Sequence, residues 1–392
     1  MIDYKYVIIG GGMTADSAVK GIRDHDESGT VAVFSMEKHP PYNRPPLSKG
    51  LWKGDDPESI WRKTDQHKID FYSGTKIVSI KPADKSIATG DGRRFTYEKI
   101  LLATGGTPRK LTFGGDEVIY FRSLDDYGRL RAAAERVSEF VVIGGGFIGS
   151  EVAAALAMNG KKVTMIIPED GIGARVFPKR LSSFLISYFS EKGLVVEHGT
   201  FVVGIEKSAS GLVVKNKGGK TFSAGAVVAG LGIIPDDGLA KSAGLAVDNG
   251  IIVDKFLRTT DHNIFAAGDV ANFYNSALDK RMRVEHEDNA NTMGLIAGHN
   301  MAGREEAYDY LPFFYSDLFD LGYEAVGELD SRMETVEDWV DEFRKGVVYY
   351  LGEGKVRGVL LWNTWGKVED ARKLIGSGRK WSAEGLLKLI RD

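Results

Sequence analysis

Two stretches of this chain repeat one order of apolar, small and mixed positions. "YVIIGGGMTADSAVKGI" (6–22) and "FVVIGGGFIGSEVAAAL" (140–156) each run from apolar residues through three glycines into a helical pattern. In the first copy Ala15, Ala18, Val19 and Ile22 fall at helical spacing on one face, which predicts an amphipathic helix. The uninterrupted apolar runs before the glycines predict strands buried on both faces, as in parallel sheets. Each copy is followed by a second β-branched strand, "TVAVFS" (30–35) and "KVTMII" (162–167). Each half then closes on an apolar strand running into glycines and a proline, "KILLATGGTP" (99–108) and "AVVAGLGIIP" (226–235). The first glycines, Gly10 and Gly144, are 134 residues apart, and the closing prolines 127. Such self-similarity predicts one βαβ-based domain written twice.

Elsewhere the pattern changes. "GVVYYLGEGKVRGVLLWN" (346–363) predicts a β-hairpin around a glycine-containing turn, and "EGLLKLIRD" a terminal helix. In "TTDHNIFAAGDVANF" (259–273) an apolar strand ends at Gly268–Asp269, and a further helix is expected to begin there. "PYNRPPLSKGLW" (41–52) is stiffened by Pro41, Pro45 and Pro46, and Leu47–Trp52 reads as the start of a helix carrying Ser48 and Lys49. The fold class is α/β: two Rossmann-like dinucleotide-binding domains plus a C-terminal α+β domain. The expected boundaries are 1–118 with 251–310 for the first domain, 119–250 for the second inserted into it, and 311–392 for the third.

Composition narrows the chemistry. With 392 residues, 43% hydrophobic and 27% charged, the chain can bury large cores. A net charge of −3 offers no global field for nucleic acid or acidic membrane, and the locally basic run 372–388 reads as a solvated helix face. No apolar run approaches the roughly 20 residues of a membrane span. The chain enters "YKYVIIGGG" at once, so a cytoplasmic setting without a targeting peptide is expected. There is no cysteine, which removes disulfides, thiolate metal sites and any electron relay through a protein thiol. The seven histidines show no paired metal-ligand spacing, so no metal is expected.

The glycine units carry the first chemical signal. Gly10 and Gly144 permit the tight turn, Gly12 and Gly146 let the backbone approach a pyrophosphate, and Gly149 or Ala15 lets helix and strand pack closely. The helix start then presents unpaired N–H groups to the phosphates. Glu37 and Glu169 stand 22 and 20 residues after Ala15 and Gly149, where an acid accepts from a ribose 2′-hydroxyl. Asp269 is either a helix N-cap or an acceptor for a polyol.

On these strings the chain resembles the two-dinucleotide-binding-domain flavoproteins, that is, pyridine nucleotide-disulfide oxidoreductases and ferredoxin reductases. "PYNRPPLSKGLW", "LLATGGTPRKL", "FRSLDD", "RMRVEHED" and "YSDLFDLGYEAVGELD" are similar to the apoptosis-inducing-factor branch of that family. The resemblance implies FAD at Gly10, Gly12, Met13, Thr14, Glu37, Arg44, Lys49, Ile77, Thr104, Gly105, Arg122, Asp269, His286 and Tyr315. It implies NADH at Gly145, Gly146, Phe147, Ile148, Glu169, Arg175, Gly232, Glu285, Glu324 and Asn363. Lys49, Glu151, Phe147 and His286 are the implied catalytic residues: an ammonium near the flavin N5–O4 edge, its carboxylate partner, an aromatic lid, and a flavin contact or proton mediator. Tyr315 replaces a tryptophan of that branch, Glu287 a second histidine, and the stretch 330–346 is short.

The expected activity is an FAD-dependent NADH oxidoreductase, NADH preferred, in which electrons leave the flavin for an external acceptor. That acceptor is a small redox protein, a quinone or dioxygen. Two alternatives stay open: an NADH-sensing flavoprotein whose reduced charge-transfer form changes its oligomeric state, with a homodimer as partner, and a ferredoxin or rubredoxin reductase.

Overall fold

The computed structural model describes residues 2–209 and 211–391. By Cα proximity the chain divides into two compact units. The first comprises Met1–Asn43, Glu58–Thr107 and Ile234–Pro312, and the second Arg44–Pro57, Pro108–Ile233 and Phe313–Asp392.

The first unit is built on a sheet whose parallel strands run in the order Asp70–Tyr72, Val31–Phe34, Ile2–Ile9, Arg94–Leu102 and Ile264–Ala266. The near-continuous apolar runs have the expected cause: Val7, Ile8, Ala32, Val33, Ile100 and Leu101 are all fully buried. Ile9 pairs with Phe34 on one side and Leu102 on the other, so the glycine turn leaves from the middle of the sheet at its carboxyl end. The helix Met13–Arg23 follows, and Ala15, Ala18, Val19 and Ile22 are buried as the periodicity requires. A second helix, Glu287–Met301, lies against it at backbone contact distance. A Cβ on Gly294 would stand 2.4 Å from the Thr14 carbonyl oxygen, and one on Gly298 2.2 Å from that of Ala18.

The second unit repeats the plan. Its parallel sheet runs Val195–Glu197, Lys162–Ile166, Glu139–Ile143, Ala226–Ala229 and Val118–Tyr120, with the helix Phe147–Met158 after the glycine turn. The same unit holds an antiparallel sheet in the order Phe313–Leu318, Leu321–Gly327, Lys355–Trp362, Lys345–Gly352 and Glu334–Asp341. The hairpin expected over 346–363 is the Lys345–Gly352 and Lys355–Trp362 pair.

Three local expectations are corrected. After Asp269 no helix begins: Gly268–Val270 is a single 3-10 turn, and Ala271–Asn275 continues as a strand paired with Lys280–Met282. The terminal helix shrinks to one turn, Ala383–Leu386. The proline-rich stretch forms a 3-10 turn, Pro45–Ser48, and a separate α turn, Gly50–Lys53, with Lys49 at the junction. No helix among the described residues is long and apolar enough to cross a membrane.

Candidate functional site

In the first unit the strand end, the glycine turn and the Asp269 turn converge. Gly10 has φ +123°, and a Cβ there would lie 2.1 Å from the Ala103 carbonyl oxygen, so no other residue fits the turn. Gly12 starts the helix without a side-chain cap, which leaves the first-turn N–H groups directed at any anion placed there. Met13 and Thr14 are buried, and Gly268 packs so tightly on Thr14 that a Cβ would meet its Oγ1 at 2.3 Å. Asp269 therefore stands beside the helix start, its carbonyl accepting from Arg283 at 3.0 Å. His286 occupies the N-cap position of the helix Glu287–Met301 without a side-chain capping bond; burial pushes its imidazole down to about 4, with Asp269 pulling the other way. Tyr42 donates to Glu37 Oε2 at 2.5 Å and fixes the acid after the second strand.

Other candidates of this unit serve the framework visibly. Thr104 Oγ1 donates to the Asp236 carbonyl at 2.8 Å, and the Gly105 carbonyl accepts from Asp236 N at 3.0 Å. The Ile77 side chain lies in the core, so a ligand could meet its backbone alone. Glu285 pairs with Arg283 at 2.7 Å.

Asp16 was not singled out by the sequence. It is fully buried in the first helix turn and accepts from Thr64 Oγ1 and Arg62 Nε at 2.6 Å and Lys20 Nζ at 2.7 Å. Burial alone would raise its carboxyl; the Lys20, Thr64 and Arg62 contacts outweigh that and lower it. The Asp16–Lys20 spacing was readable as an i,i+4 pair, but Arg62 lies 46 residues away with no local signal.

In the second unit the glycine loop is built alike and finished differently. Gly144 has φ +107°, and Gly149 approaches the Gly144 carbonyl so closely that a Cβ would come within 2.1 Å. Gly146 begins the helix uncapped and exposed, and a Cβ on it would meet nothing within 4 Å. Gly145 accepts from Gly173 N at 2.9 Å, and Ile148 is 40% exposed. Phe147 is half-buried, its ring centroid 5.0 Å from that of Phe314. Glu169 Oε1 accepts from Arg175 Nε at 2.8 Å and from its terminal nitrogen at 2.7 Å, although Arg175 is 84% exposed. The Gly232 carbonyl accepts from Arg109 N at 2.9 Å.

A buried polar cluster of this unit surrounds Glu151. Its carboxylate, 3% exposed, accepts from Lys49 Nζ at 2.6 Å, Ser48 Oγ at 2.6 Å and Ser316 Oγ at 2.5 Å. Lys49 Nζ lies 5.3 Å over the Tyr315 ring. Arg44 donates to the Arg122 carbonyl at 3.1 Å, and Arg122 precedes a Ser123–Asp126 capping box that fixes it. Glu324 accepts from Gly366 N at 3.2 Å, and burial pushes its carboxyl up. Asn363 spends its side chain on Gly322 N and the Arg344 carbonyl, at 2.7 and 2.9 Å.

Two uncapped helix starts, each with an acid after the next strand, form a donor set suited to two dinucleotides. The profile of the pyridine nucleotide-disulphide oxidoreductase family matches residues 4–294. The chain belongs to that family. Residues 297–342 and 337–377 match the C-terminal domain of mitochondrion-associated apoptosis-inducing factor. The flavoprotein is 34% identical to apoptosis-inducing factor 1 of Dictyostelium discoideum over 95% of this chain and 78% of that one. It is also 34% identical to monodehydroascorbate reductase 3 of Arabidopsis thaliana, over 91% and 89%. A solved structure of the covalent putidaredoxin reductase–putidaredoxin complex superposes with TM-score 0.91 at 28% identity, covering 100% of this chain and 96% of that one. The cofactors of this flavoprotein are FAD and NAD(H), and it is an FAD-dependent NAD(P)H oxidoreductase.

Proposed function

We propose that this chain takes hydride from NADH and passes electrons one by one to a small redox protein, without a thiol relay. The observation that carries this is the Lys49–Glu151 pair: an ammonium 12% exposed, held at 2.6 Å by a buried carboxylate, in a chain with no cysteine. The likeness to a reductase solved with its redox protein supports this choice of acceptor. Bound FAD supplies the chemistry of accepting a hydride and releasing single electrons.

The residues divide the remaining work. The uncapped turn at Gly10, Gly12, Met13 and Thr14 receives the FAD diphosphate, Glu37 its ribose and Asp269 its polyol. Ile77, Thr104 and Gly105 border that cofactor through backbone groups, and Arg44, Arg122 and Tyr315 complete its contacts. Lys49 presents positive charge where negative charge builds up, and Glu151 orients it. His286, neutral at pH 7, hydrogen-bonds without adding charge.

Gly145, Gly146 and Ile148 receive the NADH diphosphate, and Gly232, Glu285, Glu324 and Asn363 line the nicotinamide side. Phe147 covers the ring. Glu169 accepts from the 2′-hydroxyl and repels a 2′-phosphate, giving NADH the preference, which Arg175 softens. In this reading 1–118 with 251–310 hold FAD, 119–250 hold NADH, and 311–392 form a third, α+β domain.

The test is anaerobic reduction by NADH in stopped flow, then reoxidation against a [2Fe–2S] ferredoxin, a quinone, an organic radical and oxygen. Lys49→Ala should reduce about 10²–10³ times more slowly, the usual loss of one electrostatic donor at a reaction centre. Wild-type rates in Lys49→Ala would sink the assigned role. Faster turnover with a quinone or radical than with the ferredoxin would replace the acceptor.

A further inference from the structure

The second glycine helix and the first strand of the C-terminal sheet touch through two rungs of different chemistry. Phe147 and Glu151 are four residues apart on Phe147–Met158, so they share a face and stand about 6 Å apart along the axis. Phe314 and Ser316 are two residues apart on Phe313–Leu318, again on one face, about 7 Å apart. The spacings match, and each helix residue meets its strand counterpart. Phe147 and Phe314 have ring centroids 5.0 Å apart, and Ser316 Oγ donates to Glu151 Oε1 at 2.5 Å.

The polar rung is dry, with Ser316 1% and Glu151 3% exposed. A hydrogen bond there is strong, and leaving either partner unmatched is costly. Beyond Glu151 the contacts continue to Ser48 and Lys49. Behind Ser316 the strand is anchored: its cross-strand neighbour Tyr323 is buried and stacks on Trp362 at 5.5 Å. Helix and strand are thus stiff elements, and a displacement at the aromatic rung is shared by the polar one.

We propose that Ser316 is a positioning residue that ties the Lys49 ammonium, through Glu151, to the state of the Phe147–Phe314 contact. Nucleotide arriving at Phe147 then fixes the charge that favours flavin reduction. The inference rests on the reading above, in which Phe147 meets the nicotinamide and Lys49 the flavin.

The experiment uses holoprotein of the wild type, Ser316→Ala, Ser316→Thr and Lys49→Ala. It reads the flavin midpoint potential with and without saturating NAD⁺, and the limiting reduction rate separately from the apparent Kd for NADH. Ser316→Ala is expected to keep that Kd within about twofold but to reduce roughly tenfold more slowly, as a slightly misplaced group does. It should also lose most of the potential shift that NAD⁺ produces in the wild type, and Ser316→Thr should restore both. If Ser316→Ala cannot retain FAD, Ser316→Cys, a weak donor of similar size, carries the same comparison. A wild-type rate and shift in the variant, beside a slow Lys49→Ala, overturns the role of Ser316 alone. A wild type whose potential ignores NAD⁺ overturns the coupling. A wild-type rate in Lys49→Ala overturns the reading beneath it.

Discussion

The two glycine helices begin with one motif and end in opposite surroundings. At the first, Met13 and Thr14 are buried, Gly268 presses on Thr14, and the helix Glu287–Met301 packs against the same turn through Gly294. At the second, Gly146 is exposed, Phe147 half-buried and Ile148 40% exposed. A sheltered start suits a cofactor that stays with the protein, and an open one suits a nucleotide that must leave at every turnover. The glycines make either site possible; the residues packed over the first helix turn decide which it becomes. Buried charge separates them too. Asp16 ties the first helix to Arg62 and Thr64 within its own unit, whereas Glu151 ties the second to the lysine assigned to the chemistry.

Alanine substitutions test that contrast most harshly. Gly10→Ala places a methyl 2.1 Å from the Ala103 carbonyl at φ +123°, and Gly149→Ala places one 2.1 Å from the Gly144 carbonyl. Each should cost roughly 1–3 kcal/mol through overpacking, with about 1–2 kcal/mol of backbone strain added at Gly10. Gly10→Ala should also emerge without FAD. Gly146→Ala, whose methyl meets nothing within 4 Å, should change stability by less than about 0.5 kcal/mol while weakening NADH. Thermal unfolding, flavin content and NADH titration read all three. An unaltered NADH affinity in Gly146→Ala would break the comparison.

The paired acids give a smaller effect. Glu37 is held by Tyr42, a neutral donor, and Glu169 by the exposed cation Arg175. Glu169→Ala should raise the NADPH-to-NADH ratio of kcat/KM by about tenfold, a change of about 1.4 kcal/mol in relative transition-state binding. Glu37→Ala should leave that ratio unchanged and loosen FAD instead. Equal ratios in wild type and Glu169→Ala would remove Glu169 from specificity.

Much of this was legible because it is local. The apolar runs, the glycine turns and the hairpin over 346–363 each depend on neighbouring residues, and the sheets assemble as those patterns require. What escaped depends on distant partners. Ala271–Asn275 becomes a strand because Lys280–Met282 and Ile251–Ile252 pair with it, overriding the helix expected after Asp269. The terminal helix stops after one turn where Asp338 takes Lys388 N at 2.6 Å and Arg391 at 2.9 Å, pinning the segment to an edge strand. Lys49 and Glu151 lie 102 residues apart and were paired through the family resemblance, not by spacing. Ser316, 165 residues from Glu151, left no trace in any local pattern.

The gentlest test concerns the sheltered side, where His286 stands at the N-cap position of the helix Glu287–Met301. Burial lowers its imidazole to about 4, against an ordinary value near 6.5, and the positive end of a helix disfavours the cation further. About one unit or more above pH 6.5 the ring is neutral in both folded and unfolded chains and contributes no pH dependence. As pH falls from 6.5 towards 4, the unfolded chain binds a proton that the folded one refuses, so stability declines across that window and levels off below it. Asp269 opposes the trend without reversing it. Denaturant midpoints should therefore fall between pH 7 and 4.5 more steeply in the wild type than in His286→Gln, which has nothing to titrate there. Parallel pH profiles would show that water reaches the ring, and would weaken the claim that the first site is the closed one.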